Sequence, residues 1–267
     1  MEISLYQIDA FASRLFEGNP AAVCPLDAWL PDEIMQKVAA ENNLSETAFY
    51  VPKGDNFHIR WFTPASEVDL CGHATLATAY VLFNILGYKK SRIVFDSRSG
   101  LLTVTKDNEW LVMDFPAQPP VACDTPEEIL KAFEKAPVEC LTSEDYIVVF
   151  ENEKDVESAE PDFEQLKKLG LRGVAITAKS DHYDFVARFF APNYGIPEDP
   201  VTGSAYTQLT PYWASKLRSK KFSVKQVSPR GGELICEIVD DRVFISGKAV
   251  KFMEGKIKIN SGIKSEV

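Results

Sequence analysis

What this sequence is short of narrows its possible tasks before any motif does. It has three histidines, and its five cysteines (Cys24, Cys71, Cys123, Cys140 and Cys236) are scattered, with no CxxC pair among them. Such spacing supports neither a disulfide framework nor a zinc site, so reduced thiols, no bound metal and a cytoplasmic setting are expected. Positive charge is also scarce. Twenty-nine Lys and Arg stand against 39 Asp and Glu, a formal net charge of −10, which argues against a nucleic-acid partner that would need a basic face for phosphates. There is no GxGxxG after a strand, no GxxxxGK followed by Ser or Thr, and no HExxH, so the chemistry is expected to run without a cofactor. The opening MEISLYQIDAF alternates like a strand and has no basic start before an apolar stretch, so no signal peptide is expected.

Charge is missing locally as well. Leu70–Tyr88 contains no Asp, Glu, Lys or Arg and is just long enough to span a bilayer. Gly72, His73, Thr75, Thr78 and Asn84 within it suit lipid poorly, so the segment reads as a helix enclosed by protein and no membrane partner is expected. Around it run short alternating segments that predict strands: Ile3–Ile8, Phe49–Val51, Phe57–Phe62, Leu101–Thr105, Trp110–Phe115, Tyr146–Phe150, Val174–Thr177, Phe185–Phe190, Phe222–Val227, Glu233–Val239, Val243–Ser246 and Lys256–Ile259. Helices are predicted over Pro31–Glu41, after a capping box at Thr125-Pro126-Glu127-Glu128, and over Phe163–Leu169.

An internal repeat organises these elements. Residues 60–64 read RWFTP and residues 188–192 read RFFAP; each leads through an acidic stretch to a small-residue helix start, EVDLCGHATLA and then EDPVTGSAYTQL. Aligning Gly72 with Gly203 pairs Cys71 with Thr202 and His73 with Ser204, with three extra residues in the second copy. Both copies continue without charge, to Tyr88 and to Ser215, and Pro211 predicts a kink or break in the second helix. Alternating strands before a charge-free helix, twice over, imply an α+β protein of two pseudo-symmetric lobes. Each lobe is a curled, mainly antiparallel sheet around a central helix, and a ligand cleft lies between them.

Helix starts expose unpaired N–H groups with partial positive charge, and glycine lets a ligand approach them. Taken singly, Gly72-His73-Ala74 and Gly203-Ser204-Ala205 read as packing devices; as a pair facing one cleft they read as a clamp for a carboxylate.

The ordered runs NLSETAF (Asn43–Phe49), RWFTP, DLCGHATLA and GIPEDPVTGSA, with the opening DAF and EGNPAAV, resemble the PhzF-like isomerases, relatives of diaminopimelate epimerase. The resemblance spans nearly the whole chain. It implies Glu46 as the catalytic acid/base, His73 as an assisting cleft histidine and Asp199 as the acidic residue before the second helix. Gly72, Gly203 and Ser204 match the substrate clamp. A buried carboxyl group is a sound means of moving a proton between two carbons of one substrate. Without that resemblance Glu46 reads as a surface carboxylate at a helix-to-strand corner, and Asp199 as a loop residue bonding its own backbone beside Pro200.

Cys71 sits where two-thiol epimerases of this fold carry one of their bases, but its counterpart is Thr202, too weakly acidic for that task. Three readings therefore stand: isomerisation of a small carboxylate through Glu46, epimerisation by Cys71 with Glu46, and non-catalytic binding of a small acid. Cys71 is placed among the substrate-binding residues, as either a reactive thiol or a buried filler. The first lobe is expected to occupy residues 1–116, with Pro116–Pro120 as linker, and the second residues 117–267. The final strand, about 250–267, stays in the second lobe or returns to the first, as it does in relatives. A homodimer is expected.

Overall fold

The computed structural model describes residues 1–259; residues 260–267 of the expected final strand lie outside the described residues. Among those described, 18 strands join into one hydrogen-bonded sheet with six α-helices: α1 (Asp32–Asn42), α2 (Gly72–Tyr80), α3 (Glu127–Ala132), α4 (Glu153–Glu157), α5 (Phe163–Leu166) and α6 (Tyr206–Leu217).

The repeat read in the sequence governs the strand pairing. In the first half, Asn19–Pro25 runs parallel to Glu46–Lys53, which pairs antiparallel with Asn56–Phe62; that strand runs parallel to Arg92–Ser97, which pairs antiparallel with Gly100–Asp107. The second half repeats the pattern with Tyr146–Val149, Val174–Lys179, Phe185–Ala191, Lys221–Gln226 and Gly232–Val239. Each parallel step needs a crossover, and the helices supply it. The equivalent strands Trp110–Pro116 and Arg242–Gly247 then pair antiparallel with each other. Antiparallel pairing of equivalent strands creates a local twofold, so the sheet passes unbroken from one half to the other. The last strand, Ala249–Lys258, pairs antiparallel with the first, Glu2–Ala10.

The repeated arginines show why RWFTP and RFFAP look alike. Arg60 grips Glu67 through Nε and Nη2 at 2.6 and 2.7 Å, and Arg188 grips Glu198 in the same two-pronged way at 2.7 and 2.9 Å. Each guanidinium lies over the phenylalanine two residues on, 5.2 Å from Phe62 and 5.1 Å from Phe190. Planar donors matched to a carboxylate and an aromatic face explain why arginine stands in both copies. The three extra residues of the second copy fall between Arg188 and Glu198, where Pro192–Tyr194 forms a short 3-10 turn.

Helix α2 is buried from His73 to Ala79, and α6 from Tyr206 to Thr210 and again at Tyr212 and Trp213. Their lack of charge follows: a helix wrapped by its own sheet has no polar side. Thr75 and Thr78 satisfy their hydroxyls on the carbonyls of Cys71 and Ala74, at 2.6 and 2.7 Å. No helix among the described residues is long and apolar enough to cross a membrane. On the outer face, α1 covers Cys24, Phe49, Val51 and Phe62, while α3 and α5 cover the corresponding second-half strands with Ile129, Ala132 and Leu166.

Some local expectations need correction. Helix α6 continues through Pro211 without a break. Proline removes the N–H that would pair with the Thr207 carbonyl, and the N–H of Gln118, in the Pro116–Pro120 stretch, donates to that carbonyl instead at 2.9 Å. Thr125 makes no capping bond; Pro126 occupies the cap position of α3. The strands Asn19–Pro25, Arg92–Ser97 and Glu139–Thr142 and helix α4 were not anticipated.

Candidate active site

Glu46 opens the strand Glu46–Lys53 at the corner after α1, yet its side chain is nearly buried. The strand runs beside Asn19–Pro25, with Ala21 opposite Glu46, and this directs the carboxylate inward rather than to the surface. There it meets the start of α2: Glu46 Oε2 lies 3.1 Å from His73 Nε2. The angle falls short of a hydrogen bond, and neither atom has another partner. The two atoms are thus each other's only close polar partner, a buried carboxylate–imidazole pair.

The other ring nitrogen, Nδ1, lies 3.5 Å from the sulfur of Cys71, the N-cap residue of α2. Burial disfavours the imidazolium, but Cys71 and Glu46 outweigh it and hold the His73 pKa well above its ordinary value. Burial, reinforced by the Glu46 carboxylate and opposed by His73, pushes the Cys71 thiol up to about 11. These three side chains bring metal-ligating atoms within 4.8 Å of one another. The ring, however, turns one nitrogen to the thiol and the other to the carboxylate, an order suited to passing protons across it rather than to gathering three ligands on one ion.

Asp199 ends the short strand Ile196–Asp199 and is buried. Its Oδ1 accepts from Asn19 Nδ2 at 2.7 Å and its Oδ2 from Thr202 Oγ1 at 2.5 Å. Burial raises its pKa to about 6, against the lowering effects of His73, Thr202 and Asn19; the nearby Glu46 adds to the rise. Glu46, His73 and Asp199 thus share one electrostatic environment although they come from different halves of the sheet. Asn19 ties the halves together, since it also donates to the Val201 carbonyl at 3.0 Å and accepts from Ser45 Oγ at 3.3 Å. Gln226 fixes the Asp199–Thr202 turn, donating to the Asp199 carbonyl at 2.8 Å and accepting from Thr202 N–H at 2.9 Å.

The two glycine helix starts face each other. A Cβ built on Gly72 would stand 3.7 Å from Gly203 Cα and 3.9 Å from Ser204 N. Ser204 is held from behind: its Oγ accepts from Arg172 Nη1 at 3.0 Å, and Arg172 is clamped by the fully buried Asp145, which also accepts from Gln208. Phe11, of the DAF run, reaches into the second half beneath Gly203 with an unusual positive φ of 59°. A side chain at Gly247 would collide with its ring.

All seven residues singled out in the sequence therefore converge on this region. Asn19, Gln226, Arg172, Asp145 and Gln208 were not singled out. Asn19 lies inside the EGNPAAV run, so a signal for it existed. The others come from strands, loops and helix turns with no local pattern to separate them from ordinary polar residues.

The phenazine biosynthesis-like protein family (PhzC-PhzF) matches residues 8–255. "Uncharacterized isomerase PA2770" of Pseudomonas aeruginosa is 52% identical over 259 residues, covering 97% of this chain and 100% of that protein. The crystal structure of a PhzF-family phenazine biosynthesis protein from Enterococcus faecalis superposes with a TM-score of 0.95 at 46% identity, covering 97% of this chain and 100% of that one. A predicted epimerase of Pseudomonas aeruginosa, PA4716, shares the fold at a TM-score of 0.76 and 21% identity, with 97% and 100% coverage. Duplicated sheet, facing helix starts and full-length similarity lead to one assignment: this chain belongs to the PhzF-like, phenazine biosynthesis-like family and is an isomerase with the epimerase-type α+β fold.

Proposed function

We propose that this protein isomerises a small carboxylate by moving a proton between two carbons of the substrate, with Glu46 as acid and base. The observation that carries this reading is the buried pair Glu46 Oε2 and His73 Nε2, 3.1 Å apart and with no other polar partner. A carboxylate can take a proton from an acidic C–H, and the adjoining imidazole, its pKa raised, offers a charge partner beside it. Glu46 removes a proton from one substrate carbon and returns it to another, while His73 steadies its charge. Asp199, its pKa raised by burial to about 6, is a second titratable carboxyl group beside Glu46 and His73. The substrate carboxylate rests against the adjoining helix starts at Gly72 and Gly203–Ser204, where backbone N–H groups and helix dipoles favour an anion. Moving a proton between two carbons of one molecule involves no external oxidant or reductant, so the reaction needs no redox cofactor.

The test is proton NMR in D2O on a panel of small carboxylic acids with an acidic C–H next to a double bond or carbonyl. The expected result is deuterium entering substrate and product with the wild-type protein and not with Glu46→Gln. Exchange that survives in that variant removes Glu46 from the role.

We further propose that the protein acts in the cytoplasm, in a biosynthetic process, as a homodimer. The five free cysteines support the first of these. Exposed Phe16, Phe252 and Met253, with Phe16 and Phe252 6.2 Å apart at the strand Ala249–Lys258, support pairing through that face. Light scattering at micromolar concentration is expected to give twice the chain mass, and a monomer mass refutes the dimer alone.

A further inference from the structure

Cys123 and Cys140 look unrelated in the sequence, and the fold puts them face to face. The strand Val121–Ala122 pairs antiparallel with Glu139–Thr142, Leu141 opposite Ala122 and Thr142 opposite Val121. One step further along the same register, Cys140 stands opposite Cys123. The N–H of Cys123 donates to the Cys140 carbonyl at 3.0 Å, and the two sulfurs are 3.7 Å apart. Opposed residues at such hydrogen-bonded positions have Cα atoms about 5.5 Å apart, inside the roughly 4.4–6.8 Å that a disulfide bridges. Among the described residues no other two thiols are in contact, and Cys24, Cys71 and Cys236 are each buried.

Exposure differs within the pair. Cys123 is half-buried, whereas Cys140 is buried behind it. Burial, reinforced by the Cys123 hydrogen bond, pushes the Cys140 thiol up to about 12. A reachable thiol with a second, shielded thiol in contact is the arrangement of an attacking and a resolving cysteine.

We propose that Cys123 and Cys140 form a reversible redox pair that closes into a cross-strand disulfide when it meets a small disulfide of the glutathione class. The Cys123 thiolate attacks one sulfur of that reagent, forming a mixed disulfide and expelling one thiolate. Cys140 then gives up its proton and attacks the Cys123 sulfur, expelling the second thiolate. Two protein thiols are oxidised, one external disulfide is reduced to two thiols, and the protons end on the released thiols.

The position gives the bond a consequence. Cys123 lies just beyond the Pro116–Pro120 stretch, whose Gln118 donates to the Thr207 carbonyl left open by Pro211 and accepts from Thr207 Oγ1 at 2.6 Å. Closing the bond fastens this segment to the strand Glu139–Thr142 and so secures the contact that completes α6. Cys71, packed on His73, takes no part, and the Glu46–His73 pair is untouched.

The experiment treats the reduced, full-length protein with oxidised glutathione, then denatures, alkylates and weighs it. Five thiols alkylate before treatment. Three are expected afterwards, with a mass loss of about 2 Da before alkylation. Peptide mapping is expected to link Cys123 to Cys140, and dithiothreitol to restore all five. Cys123→Ser is expected to keep its four thiols, and Cys140→Ser to stop at a glutathione adduct on Cys123. The proposal is overturned if the wild type keeps five thiols, stops at the adduct, or joins a different pair. Cys123→Ser, at a half-buried site, keeps the test valid should Cys140→Ser fail to fold.

Discussion

Thr202 donates its hydroxyl to Asp199 Oδ2 at 2.5 Å, and this bond separates the two helix starts chemically. The equivalent position in the first half is Cys71, whose sulfur faces His73. The second helix start thus carries a hydroxyl–carboxylate pair where the first carries a thiol–imidazole pair. The duplicated backbone is kept while the side chains have diverged into unlike roles.

Glu46→Gln is expected to lower turnover by at least about 10²-fold, the scale of general acid–base catalysis. It also removes the charge that favours the imidazolium, so the His73 pKa is expected to fall. A nitrogen-15 NMR titration of the three histidines checks this without any substrate. An unchanged His73 titration contradicts the ion pair.

Cys71→Ala separates the isomerase reading from the epimerase one. With its thiol pushed up to about 11, Cys71 is protonated near pH 7, and its loss is expected to leave most activity. The structural cost is that of a small cavity, about 1 kcal/mol, read from the urea midpoint. If the variant folds and its rate falls as far as that of Glu46→Gln, Cys71 is the second base.

Asp199 gives a pH signature. Its folded pKa, about 6, lies above its ordinary 3.8, so the folded state binds this proton more tightly than the unfolded chain. That contribution to stability is fully present below about pH 4 and is lost as pH rises through 6, a change of order 3 kcal/mol. Asp199→Asn removes it. The difference in unfolding free energy between variant and wild type is expected to grow in the variant's favour from pH 4 to 7; a difference independent of pH contradicts the raised value.

Gly72→Ala tests the clamp. A Cβ there meets Gly203 Cα at 3.7 Å, an ordinary contact, and alanine favours a helix over glycine by about 1 kcal/mol. The melting temperature is therefore expected to hold or rise. The methyl group covers backbone at the junction of the helix starts, so activity is expected to drop at least about tenfold, the effect of about 1.4 kcal/mol of lost binding. Full activity means that the ligand does not enter between Gly72 and Gly203.

The sequence by itself determined the duplicated plan and the helices it encloses. Charge-free runs after Gly72 and Gly203 report burial over α2 and most of α6, because an ionised side chain cannot be left unpaired inside a sheet; the first run nevertheless leaves the α-helix after Tyr80 and is exposed at Asn84 and Leu86. The RWFTP and RFFAP runs report the repeat itself, and the arginine clamp they share became visible only in the structure. Those are local constraints, and local constraints are written in consecutive residues. Only the tertiary structure decided that Glu46 turns inward onto His73, that Asn19 holds Asp199 across the halves, that Arg172 and Asp145 brace Ser204, and that Cys123 meets Cys140. Each of these contacts joins residues remote along the chain or turns on which face of a strand points inward. Register and sheet closure settle both, and no stretch of consecutive residues records them. Pro211 makes the same point: its effect on α6 depended on whether another segment could supply the missing donor, and Gln118, 93 residues away by numbering, supplies it.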